Sequence, residues 1–117
     1  MKAFAATDLM YRDKGPAVVV RATLSVLGSG EGGRLIESRY SWRPNHNFGP
    51  PDGRSFYIGQ IEFGSEAINP GETREVLVRF LDGPGLKENL QSGRTWRIQE
   101  GPKLIAMAKV VELVGGT

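Results

Sequence analysis

The chain has 117 residues, no cysteine and a formal charge of only +2, from 15 Lys and Arg against 13 Asp and Glu. The length suits one domain and is too short for two ordinary ones, and the missing cysteines exclude disulfides, Cys-ligated zinc and thiol catalysis. The near balance of charge gives little general attraction to a polyanion.

No apolar run approaches the roughly 20 residues of a membrane-spanning helix. Residues 1–9 lack the apolar core and cleavage pattern of a signal peptide. A cytoplasmic protein without membrane contact is expected.

Residues 1–16 show no sustained period and read as an N-terminal arm, ended by Gly15-Pro16. The domain proper is expected over 17–117. Residues 17–27 form the clearest strand: Val18, Val20, Ala22, Leu24 and Val26 fall on one face and Arg21, Thr23 and Ser25 on the other. That period of two means one buried and one wet face. Gly28, Gly30, Gly32 and Gly33 follow, and glycine accepts the positive φ that turns need. The run hands over to Arg34, so an anion meeting backbone amides and a guanidinium is one reading. A mobile hairpin loop with a solvated arginine is the other.

Residues 34–42 read as a short strand, with Tyr40 and Trp42 on one face. Residues 45–55, with Pro50-Pro51 and Asp52-Gly53, read as an irregular surface loop. Residues 56–63 form the next strand, where Gly59 predicts a bulge or tight bend. Asn69-Pro70-Gly71-Glu72 has Pro and Gly placed for a type II turn. Residues 73–81 alternate again, with Val76, Val78 and Phe80 inward. Asp82-Gly83-Pro84-Gly85 stops that strand, and Leu86 and Leu90 permit one helical turn or an irregular cross-over. Trp96 and Ile98 share a face of a strand over 94–100. Residues 103–114 are apolar on both faces, which predicts a strand covered on both sides or one that changes role along its length. About six strands, Gly/Pro turns and no helix of ten residues predict an all-β antiparallel sandwich or closed barrel.

Catalytic and cofactor signals are sparse. The pattern G-x-x-x-x-G-K-[ST] does not occur, so neither GTP nor any other cofactor is expected. His46 is the only histidine and has no companions spaced for a metal or a triad; it reads as a loop residue. Paired acids such as Glu62 and Glu66 fall on turns or solvent faces. No enzyme activity is expected. Arg34, Arg39 and Arg43 form the one local basic cluster, interleaved with Tyr40 and Trp42, a composition able to hold RNA by phosphate contact and stacking. Burial of Trp42, with Arg43 before Pro44 as a buried anchor pairing a carboxylate, is the competing reading for that stretch.

Four motifs stand in order along the chain: Glu31-Gly32-Gly33-Arg34, Trp42-Arg43-Pro44, Asn69-Pro70-Gly71-Glu72 and Ile98-Gln99-Glu100-Gly101. Together they resemble the C-terminal β-barrel, the third domain, of elongation factor Tu, over roughly residues 17–115. The resemblance implies a single six-stranded antiparallel Greek-key barrel. It implies partner contacts at Gly32, Gly33, Arg34, Glu100 and Gly101, with Arg39 added from the basic cluster, and structural roles for Trp42, Arg43 and Pro44. Leu35, Ile36, Gln99 and Pro102 stand where the family has other residues, on loops it uses for partners. The nucleotide-binding domain is not part of the resemblance, so GTP hydrolysis is not carried over. The expected function is a non-catalytic module that binds a protein, linked to translation or acting as a decoy or immunity-type mimic of the factor. A tRNA-binding domain of weak affinity is the alternative, and a structural or oligomerising subunit the second.

Overall fold

The computed structural model describes residues 17–37 and 42–116; the expected N-terminal arm, Arg39 and Tyr40 lie outside them. Six strands are present: β1 (Ala17–Val26), β2 (Asn45–Asn47), β3 (Tyr57–Glu62), β4 (Thr73–Leu81), β5 (Thr95–Glu100) and β6 (Lys103–Gly116). All pairings are antiparallel, and the order β1-β4-β3-β2-β5-β6 closes on itself as β6 returns to β1. The meander β2-β3-β4 ends beside β1, which is the Greek-key arrangement. The chain is thus an all-β closed barrel. Closure leaves few unpaired strand edges.

The alternation in β1 reads through into burial without a break: Val18, Val20, Ala22, Leu24 and Val26 are inside. They meet Val76, Val78 and Phe80 of β4, Ile61 of β3, Trp96 and Ile98 of β5, and Ile105, Ala106, Ala108 and Val110 of β6. The Asn69-Pro70-Gly71-Glu72 turn closes with Glu72 N–H on the Asn69 carbonyl at 3.0 Å, and Gly71 takes the positive φ of 84° that this turn demands. Of the two readings open for this segment the structure has a single helical turn, α1 (Leu86–Asn89), which buries Leu86, with Leu90 just after it also inside.

Two expectations are corrected. The strand expected over 34–42 falls in its middle, residues 38–41, outside the described residues; its described ends carry single bridges, Ile36 to Ile68 and Trp42 to Ile61. The described barrel takes its sixth strand from Asn45–Asn47, inside the stretch read as an irregular loop. Prolines mark where a strand stops, but Pro44 and Pro50 bracket this one without entering it. Gly59 carries no bulge: β3 pairs with β4 from Gly59 to Glu62 without a shift, and on its other side the pairs Tyr57–His46, Ile58–Asn45 and Ile61–Trp42 keep one register. A Cβ there would stand 2.8 Å from His46 Nε2 and 2.9 Å from Phe80 Cδ1, so the glycine admits two rings close to the backbone.

The last strand does change role. A register shift against β5 at Ile98/Gln99 lets Ile105 and Ala106 both turn inward. Past Val110 the strand leaves the core, and Val111, Leu113 and Val114 are exposed.

Candidate functional site

The expected site residues that the structure describes gather at one end of the barrel. The glycine run is a 3₁₀ turn, Ser29–Glu31, laid against the barrel. A Cβ on Gly33 would fall 1.7 Å from the Leu27 carbonyl oxygen, and one on Gly32 would fall 2.8 Å from that of Leu104. These glycines are required by close backbone packing, which replaces the mobile hairpin reading. The amides of Gly28 and Gly33 are also committed. Gly28 N–H donates to Glu31 Oε1 at 3.2 Å, and the N–H groups of Glu31 and Gly33 both donate to the Gly28 carbonyl at 2.9 and 3.0 Å.

Arg34 crosses to the β5–β6 turn. Its Nε donates to Glu100 Oε1 at 2.9 Å, its Nη2 pairs with Glu100 Oε2, and its Nη1 donates to the Leu35 carbonyl at 2.8 Å. Trp42 Nε1 donates to the same carboxylate at 3.1 Å, and the guanidinium carbon lies 5.9 Å from the centre of the indole ring. The hydrogen bond from Arg34, with a lesser one from Trp42, holds the Glu100 carboxyl below the usual range. The same bond raises Arg34. Arg34, Trp42 and Glu100 are therefore one brace between the turn packed through Gly32 and Gly33 and the β5–β6 turn, whose Gly101 accepts from Gln99 Nε2 at 3.3 Å. Trp42 and Pro44 are buried. Arg43 is not: it is exposed and makes no ion pair among the described residues, because on an extended segment it points opposite to its two buried neighbours.

His46 is the plainest correction. It lies in β2, fully buried, between Phe80 and Trp96. Trp96 Nε1 donates to His46 Nδ1 at 3.0 Å, and His46 Nε2 stands 3.1 Å from the Gly59 carbonyl. An indole N–H only donates, so Nδ1 is the acceptor and Nε2 carries the proton given to Gly59. The ring is neutral, and burial pushes its pKa down to about 4. A fully buried base has no route to a substrate and acts as a hydrogen-bonded core residue. Among the described residues no group of three or more His, Cys, Asp or Glu is placed to hold a metal ion. No helix there is long and apolar enough to cross a membrane.

Two concavities flank the 50–56 segment and share Phe56. One, of about 480 Å³, is lined by Pro51, Arg54, Phe56, Gln99 and Pro102 among others. The other, of about 530 Å³, has Phe48, Tyr57, Pro84 and Asn89 in its wall. Gln99 is buried at the floor of the first and accepts from Asn47 Nδ2 at 2.8 Å. Phe48 stacks on Trp96 with ring centres 4.9 Å apart, and Tyr57 donates its hydroxyl to the Pro84 carbonyl at 2.6 Å. Phe48, Tyr57 and Gln99 are thus held by the core. Ile58, half exposed, follows Tyr57 on the opposite face of β3. Gly101 also lines the first concavity, so the expected partner contact there, with Gln99 and Pro102, falls in this wall; sequence reasoning passed over Phe48 and Phe56, for which aromatics on both sides of a double proline were the available signal.

No protein-family model matches the chain, and no curated protein is significantly similar to it.

Proposed function

We propose that this chain is a non-catalytic protein-binding module of the kind that the third domain of elongation factor Tu represents. The observation that carries the reading is the pair of mainly apolar grooves meeting at Phe56. Aromatic and proline walls suit the anchors of a protein partner. The arginine with which the barrel would hold RNA is instead engaged by Glu100. The finer reading is that the partner also docks on elongation factor Tu, which makes this chain a partner's alternative target or a decoy.

The test is affinity capture from a cell lysate with and without RNase, using the wild-type chain and Phe56→Glu. The expected result is a discrete protein retained after RNase, lost with Phe56→Glu and displaced by the isolated third domain of the factor. Capture that disappears with RNase would replace the protein by an RNA. Retention with undiminished yield on Phe56→Glu would move the surface elsewhere.

A further inference from the structure

The arginines of β1 and β4 all have carboxylates. Arg21 pairs with Glu112 and, at 3.9 Å, with Glu75; Arg74 pairs with Glu72; Arg79 lies 3.0 Å from Glu62. The neighbouring strands β2, β5 and β6 differ. Among the described residues Arg97 of β5 and Lys109 of β6 form no ion pair, and neither do Arg43 just before β2 and Arg54 in the 50–56 segment.

Strand register gathers these cations on one outer face. Trp96 and Ile98 point into the core, so Arg97 and Gln99 point out. Lys109 stands opposite Thr95, which puts it diagonal to Arg97 on the same face. On their other sides Lys109 meets Thr23 of β1 and Arg97 meets Asn47 of β2. With no acid opposite either, the two charges repel each other in the free barrel. This face borders the first concavity. Gln99, two residues along β5 from Arg97, is part of its lining, as are Arg54, Pro51, Phe56 and Pro102. Asp52 is the one carboxylate in that wall among the described residues, and nearby Glu100 is held by Arg34.

We propose that the partner meets this face with an acidic segment that carries one large apolar side chain. This rests on the protein-binding reading above and adds the chemistry of the partner. The apolar side chain seats in the concavity of about 480 Å³, against Pro51, Phe56 and Pro102. Carboxylates flanking it meet Arg54, Arg97 and Lys109, the cations that the barrel itself leaves without an acid. Apolar burial supplies the affinity, and the charges speed encounter and select the partner. Contacts between exposed charges are screened by salt. A nucleic acid suits the face less well. The aromatic rings of β2, β5 and β6 are His46 and Trp96, and both are buried, so these strands offer no platform on which a base can stack.

Selection of a random phage-displayed peptide library on the immobilised full chain tests this. The expected peptides are rich in Asp and Glu around one large apolar residue, and Phe56→Glu loses them. A synthetic copy of the strongest peptide is expected to bind wild type more weakly as salt is raised. It is expected to bind several-fold more weakly to the double variant Arg54→Gln, Arg97→Gln, whose urea midpoint shows whether it is folded. If that variant does not fold, the salt dependence on the wild-type chain decides. Peptides that need Phe56 but show no acidic bias would overturn the proposal and leave the protein-binding reading standing. So would acidic peptides whose affinity ignores salt or, on the folded variant, the two arginines. Failure to select any peptide that depends on Phe56 would overturn both readings. Binding of poly(U) RNA in preference to every selected peptide would overturn the proposal and put a nucleic acid on this face.

Discussion

His46 shows how a single residue's role is set by what surrounds it. A polar ring enters the core at low cost when both nitrogens are satisfied, and here an indole and a carbonyl satisfy them. That arrangement holds only for the neutral ring. Its folded pKa of about 4 lies below the ordinary value of 6.5. Between those values only the unfolded chain takes up the proton, so stability falls as pH drops through that window and levels off below it. The shift corresponds to about 3 kcal/mol. Because the chain has one histidine, its imidazole proton resonance is unambiguous. That resonance is expected to stay constant down to about pH 5, with urea midpoints falling below pH 6.5. A titration centred near 6.5 would show a solvent-exposed ring and contradict the burial.

At the scale of the element, the brace of Arg34, Trp42 and Glu100 joins segments 66 residues apart in sequence, at one end of the barrel. Its parts differ in worth. Arg34 and Glu100 are both partly exposed, and such a pair contributes under about 1 kcal/mol. Trp42 is buried in the core cluster, and removing a packed aromatic costs about 3–5 kcal/mol. Trp42→Ala is therefore expected to lower the urea midpoint strongly and Glu100→Gln only slightly. Equal midpoints for Trp42→Ala and wild type would place the indole outside the core. The glycine turn belongs to the same element: with 1.7 Å between a hypothetical Gly33 Cβ and a backbone oxygen, no side chain fits without moving the turn.

For the whole molecule, charge and fold together bear on RNA. A net charge of +2 attracts a polyanion weakly, and the best-placed arginine already holds a carboxylate. A filter-binding titration with aminoacyl-tRNA at two salt concentrations is expected to show weak binding at physiological salt, little changed by Arg34→Ala. Submicromolar affinity that Arg34→Ala abolishes would reverse the reading and make the Arg34–Glu100 pair an RNA site.

The alternation of β1 and β4, the Asn69–Glu72 turn and the helical turn at Leu86 were all legible in the sequence. Each is carried by residues within a few positions of one another, where side-chain period and backbone preference act locally. Together they pointed to an all-β antiparallel sandwich or barrel, and the resemblance carried by four short motifs sharpened this expectation to a six-stranded Greek-key barrel. The position of the sixth strand, the burial of His46, the purpose of Gly59 and the engagement of Arg34 were decided only by the tertiary structure. In each case the deciding partner is remote in sequence: Trp96 for His46, Phe80 for Gly59, Glu100 for Arg34. A polar residue among prolines and asparagines looks solvated until closure of the barrel supplies its hydrogen bonds, and that closure is a property of the paired strands together.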